Sequence, residues 1–243
     1  MRLRPALTAA AVAGTLVVAG CAVRADDGGS TGTDADAPSP ASASSGTAGT
    51  PTTPAPPAPE VTIADDFPLS AGMGGPDDLV ATSRTGTGLR DLALCGTTPL
   101  RGLDTRDRMV ADNSGGESAS TRELVLLGSP DEAAAVAEAF AELPPTCGGV
   151  EASGGTEVTT DVRTSPFGPA PATMLVQTYA FDDQPGPGAT IVHVVPLGAA
   201  LLVSSTYGGW STEELADGIA STRGPLLATV EAMAAFEAPV EVG

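Results

Sequence analysis

The sequence predicts an α+β domain: an antiparallel β-sheet with two or three helices packed on one face, preceded by a disordered linker. Three observations predict it. Apolar, β-rich runs recur at residues 123–127, 172–181, 189–195 and 200–207, and short Gly/Pro/Asp turns between the later ones suit antiparallel neighbours. Two Ser-x-x-Glu stretches, Ser129 to Glu132 and Ser211 to Glu214, stand before apolar residues at helical spacing. Residues 22–60 have no aromatic side chain and almost no branched aliphatic one, so they cannot bury enough apolar area to offset their ordering entropy.

The chain opens with Arg2 and Arg4, an apolar run over 7–18, and Val18-Ala19-Gly20-Cys21. A positive start, a short apolar stretch and small residues describe an export signal over 1–20. The final four residues resemble a bacterial lipobox. The resemblance implies a diacylglyceryl thioether on Cys21, cleavage before it, and a protein held at the outer face of the cytoplasmic membrane. The bilayer is then a partner through the acyl chains on Cys21, since two or three chains anchor stably where one does not. Residues 21–60 form the lipidated cysteine and a Ser/Thr/Ala/Pro-rich spacer, extended at its Pro-rich end.

Charge narrows the partners. The 243 residues carry a net charge of −19 and no lysine; losing residues 1–20 removes two arginines and no acid, giving −21. Such a surface repels phosphate backbones, so no nucleic-acid partner is expected. Only Cys95 and Cys147 follow Cys21. In an exported chain they read as one disulfide, against the alternative of two free thiols. No metal or cofactor is expected, because His193 is the only histidine and no Cys-x-x-Cys pair exists.

A single domain is expected over 61–243. Phe67 and Leu69 turn inward in its leading segment. Residues 79–84 and 89–94 are candidate short strands around Thr85-Gly86-Thr87-Gly88, a turn rather than a phosphate loop, since the dinucleotide pattern is incomplete. Residues 106–113 and 118–128 form a hairpin. Ser129 caps a helix with Pro130 at its first position and a stripe of Ala133, Val136, Ala137 and Phe140; Pro144-Pro145 ends it. A polar strand over 157–163 and three stronger strands follow, with a turn at 182–188. Ser211 caps a second helix, with Trp210 stapled on Leu215, and Gly224-Pro225 opens a third.

The run from Arg122 to Cys147, a strand leading through Gly-Ser-Pro-Asp-Glu-Ala into a helix that ends near a cysteine, resembles part of the extracytoplasmic sensor domain of PknH-type actinobacterial receptor kinases. So does Ile191 to Val203, a hairpin with a central glycine. The resemblance implies an antiparallel sheet with two helices and a cleft thought to bind a ligand. This chain departs from it in having two domain cysteines rather than four, and neither kinase nor membrane helix.

No Gly-x-Ser-x-Gly elbow is present, and His193 stands alone between valines in a strand. The acid pairs Asp65-Asp66, Asp77-Asp78 and Asp182-Asp183 match no calcium loop. The function expected is therefore a non-catalytic ligand-binding or sensor-like domain. The alternatives are a cell-envelope hydrolase with an unrecognised site, or a domain that binds an envelope protein without a small ligand. Candidate ligand residues are Tyr179, Tyr207 and Trp210, with Arg106, Arg108 and Arg122 as the arginines able to receive an anion. Net acidity favours an uncharged or cationic envelope ligand. The strongest strands are apolar on both faces, which requires a cover over each.

Overall fold

The computed structural model describes residues 61–75, 79–115, 118–152, 156–182 and 184–237, all within the compact unit Pro56–Gly243. The signal stretch, Cys21 and the linker lie outside the described residues. Eight strands form one antiparallel sheet: β1 Thr82–Ser83, β2 Asp107–Gly115, β3 Ser118–Leu126, β4 Thr146–Ala152, β5 Thr156–Thr164, β6 Thr173–Phe181, β7 Gln184–Leu197 and β8 Ala200–Gly208. Their order is β1-β2-β3-β8-β7-β6-β5-β4. Helix α1 spans Pro130–Ala141, and α2 spans Leu215–Ala232 before a 3-10 turn, Met233–Phe236.

The helices do not share a face, contrary to expectation. Val125, Leu175, Val192 and Leu201 pack with Ala133, Ala137 and Phe140 of α1 and with Leu89, Leu94 and Leu100. Leu124, Val195 and Leu202 point the other way. They pack with Leu226 of α2, Met233 of the 3-10 turn, and Ile63, Phe67, Leu69 and Met73 of the leading segment. Topology gives the reason. The strands that feed the helices, β3 and β8, are antiparallel neighbours, so the helices leave from opposite ends of the sheet. Each then covers one of two faces that are both apolar.

Among the described residues there are two helices, α1 and α2, because the second and third expected ones are a single α2 that runs through Pro225. A proline inside a helix loses one hydrogen bond, here to the carbonyl of Ser221, and that residue is exposed. The Pro225 ring also packs on Gly72, where a Cβ would stand 3.0 Å from the Cβ of the proline.

Other boundaries shift for local reasons. Residues 89–94 are not a strand: the Leu92 N–H closes a turn on the Leu89 carbonyl at 2.9 Å, and a Leu94–Thr97 bridge closes the next turn over Cys95-Gly96; the strand over 79–84 shrinks to two residues. Strand β4 is unexpected: its Gly148-Gly149 pair hides a strand whose register shifts between Cys147 and Val150. Most of the 182–188 turn belongs to β7, with a register shift between Thr178 and Ala180 of its partner strand. Cys95 and Cys147 are joined, with Cα atoms 5.6 Å apart and a sequence separation of 52.

Ser129 caps α1 as expected, whereas Ser211 does not cap α2, which starts at Leu215 with Glu214 at its cap position and no side-chain cap hydrogen bond. Ser129 Oγ accepts the Glu132 N–H at 3.2 Å, and the Glu132 carboxylate accepts the Gly128 N–H at 2.7 Å. Ser211 Oγ and the Glu214 carboxylate accept each other's backbone N–H at 3.3 and 3.1 Å, in the turn just before α2. Ser129→Ala should cost about 1 kcal/mol, because a first-turn N–H loses its acceptor. An unchanged urea midpoint would contradict that role.

Candidate ligand cleft

A cleft of about 690 Å3 opens on the α2 face of the sheet, within the size range of small-molecule sites. It arises from a change of chemistry along two paired strands. On this face β8 runs Ala200, Leu202, Ser204, Thr206, and its partner β3 runs Leu126, Leu124, Arg122, Ser120. The apolar half of each strand lies under Leu226, Met233 and the leading segment. Where hydroxyls and a guanidinium replace the leucines, the cover stops and the cleft begins. Met73, Val80 and the exposed Leu79 wall one side; Thr222, Pro225 and Leu226 of α2 wall the other, with Trp210 at the end.

Arg122 is the unusual group here. Its side chain is 2% exposed. Nη1 donates to the carbonyl oxygens of Leu69 at 2.9 Å and Ala71 at 2.7 Å, and to Thr229 Oγ1 at 3.5 Å. Nε has no hydrogen-bond partner among the described residues. No described carboxylate forms an ion pair with it. Burial pulls its pKa down to about 10, so it remains cationic at neutral pH.

Ser204 lies across from Arg122 on one side and from His193 on the other. His193 is 0% exposed. Its Nε2 meets Thr222 Oγ1 at 2.9 Å, and its ring sits edge-on to Phe167 at 5.2 Å. Burial lowers its pKa to about 4. Since the unfolded chain binds this proton near pH 6.5, native stability is complete above that pH and falls as pH drops toward 4. The loss totals roughly 3 kcal/mol, at 1.36 kcal/mol per pKa unit. Denaturant stability measured from pH 7 to 4 should show this component in the native chain and lack it in His193→Gln. Parallel pH profiles for the two would contradict it.

The other candidates are dispersed. Trp210 packs against the cluster that contains Leu215, but not as the expected staple, because Leu215 is the first residue of α2 rather than its fourth; the ring fills the space that a Cβ would occupy on Gly208 or Gly218. It lines the large cleft together with Arg122, and shares a smaller cavity of about 200 Å3 with Tyr179. The Tyr179 and Tyr207 rings form an edge-on pair at 6.2 Å, with Tyr179 Oη 2.6 Å from Thr190 Oγ1. Alternation along their strands places those rings on the α1 face, away from Arg122. Arg106 is exposed at the sheet end. Arg108 is buried on the α1 face. Its Nε donates to Glu123, and its Nη1 and Nη2 donate to the carbonyls of Gly86 and Thr87 at 2.5 and 2.7 Å. The glycine pair at 86–88 therefore cradles a guanidinium, and the three arginines do not form one anion site.

Ser120, Ser204, Thr206 and Thr222 are cleft residues that the sequence reading missed. The signal was available in the second half of β8, which turns from apolar on both faces to Ser204-Ser205-Thr206. No family model and no curated protein matches the chain. Among solved structures it is similar to the extracellular domain of PknH from Mycobacterium tuberculosis, at 13% identity and a TM-score of 0.35, covering 52% of this chain and 62% of that one. It is also similar to the Mll3558 protein from Rhizobium loti, at 19% identity, TM-score 0.25, and 52% and 97% coverage. CalU16 from Micromonospora echinospora follows at 12% identity, TM-score 0.20, and 54% and 94% coverage. The chain thus spans less than two thirds of the PknH domain, and at these TM-scores the likenesses carry no weight on function.

Proposed function

We propose that this chain is a membrane-anchored extracytoplasmic lipoprotein whose domain binds a small envelope ligand without catalysing a reaction. The observation that carries the ligand reading is the cleft, with a floor of Ser120, Arg122, Ser204 and Thr206 between Met73, Leu79 and Val80 on one side and Thr222, Pro225 and Leu226 on the other. The lipobox-like Val-Ala-Gly-Cys21 stretch and the Cys95–Cys147 disulfide support export and anchoring. Among the described residues no helix is long and apolar enough to cross a membrane; attachment in this proposal is through the lipid on Cys21.

One observation favours a hydrolase: Ser204 lines the cleft and His193 is its cross-strand neighbour. His193 Nε2 meets Thr222 rather than Ser204, which makes binding the better reading. Native mass spectrometry of the full chain, extracted in detergent from its own envelope, tests both parts of the proposal. The expected spectrum shows a chain beginning at acylated Cys21 and carrying a non-covalent small molecule. An unacylated chain that stays in the aqueous phase, like Cys21→Ala, would refute anchoring; a bare chain would refute the ligand.

A further inference from the structure

Two arginines are deeply buried in the described domain, and their treatment differs. Arg108 is matched by Glu123, whereas Arg122 has carbonyl and hydroxyl acceptors on one edge and no described carboxylate. A buried cation without a counter-charge is costly unless something supplies one. The Leu69 and Ala71 carbonyls fix the Nη1 side of the guanidinium, so its plane is set before any ligand arrives. The unpartnered Nε, itself buried, belongs to the other edge of this side chain, which lines the cleft. We propose that the cleft takes a small monocarboxylate, seated on the Nε edge of Arg122 with its polar body over the hydroxyls of Ser120, Ser204 and Thr206.

This rests on the ligand-cleft reading and departs from the uncharged or cationic ligand that net acidity suggests. Overall charge acts at long range and is screened; a fixed guanidinium in a protected cleft acts at contact. Guanidinium and carboxylate also match in charge and in planar geometry. A phosphate dianion would bring a second negative charge with only hydroxyls to meet it. Ser120 Oγ and Thr206 Oγ1 lie 3.1 Å apart, a paired donor–acceptor floor suited to a hydroxylated ligand body.

Arginine Nε–H resonances of the 15N-labelled full chain in detergent test the proposal, with acetate, gluconate, sorbitol and inorganic phosphate as probes. One resonance, absent from Arg122→Lys, should move saturably with gluconate and stay unmoved by sorbitol. Phosphate should need at least tenfold higher concentration. Arg122→Lys should weaken gluconate binding at least tenfold, read by the emission of Trp210, the chain's one tryptophan. A resonance unmoved by both carboxylates, or moved as readily by phosphate or sorbitol, overturns the monocarboxylate. If an envelope extract still perturbs Trp210 in that case, the ligand reading stands without it; if nothing does, both fail. Asp77 and Asp78, outside the described residues, adjoin the cleft lip in sequence. If the Asp77→Asn/Asp78→Asn double variant alone shifts the resonance, the carboxylate is internal and the proposal fails.

Discussion

Glu123→Gln and Arg108→Met should each destabilise the domain by about 3–5 kcal/mol, the usual cost of leaving one member of a buried pair unmatched. The two side chains are 3% and 5% exposed. Each also holds the chain around them: Arg108 donates to the carbonyls of Gly86 and Thr87, and Glu123 accepts the Leu89 N–H at 2.6 Å. The pair therefore fastens the irregular 86–89 segment to the sheet from below. With total stability of about 5–15 kcal/mol for a domain, either change takes a large part of it. Arg108→Met/Glu123→Leu removes both charges and should recover more than half of the single-variant loss. Urea titrations check this; single variants within 1 kcal/mol of the native chain would contradict the role given to the pair.

Cys95→Ala/Cys147→Ala should cost about 4 kcal/mol, from the entropy that a 52-residue closed loop removes from the unfolded chain. For a domain of this size the melting temperature should fall on the order of ten degrees. The bond links the turn at Cys95 to β4, and so helps hold Leu89, Leu94 and Leu100 over the α1 face. Amide exchange in residues 89–103 should quicken before that of the central strands. A melting temperature within two degrees of native would place the constraint elsewhere.

Local chemistry made part of this fold legible. Ser129 with Pro130 and Glu132 announced α1, and the alternating apolar residues of β3, β6 and β8 announced strands with two buried faces. The opposite placement of the helices was not legible, because it depends on β3 and β8 being neighbours, a pairing across about 80 residues that no local pattern encodes. Pro225 misled for a related reason: its tolerance inside α2 depends on Gly72, far away in sequence. Arg122 was recognisable as a candidate, but its grouping with Arg106 and Arg108 was not. Residues 108 and 122 lie in adjacent strands yet point to opposite faces, a matter of register. The packing of Trp210 near Leu215 was legible, but not the later start of α2 that removes the staple geometry, nor the place of Trp210 in the cleft wall.

The proposed ligand site is the space between Trp210, Arg122 and α2. Trp210 emission measures it most directly, with the small-molecule extract of the envelope titrated into refolded full-length chain. The expected result is a saturable change that disappears in Thr206→Phe, which fills the cleft floor. No saturable change, or an equal change in Thr206→Phe, would contradict it.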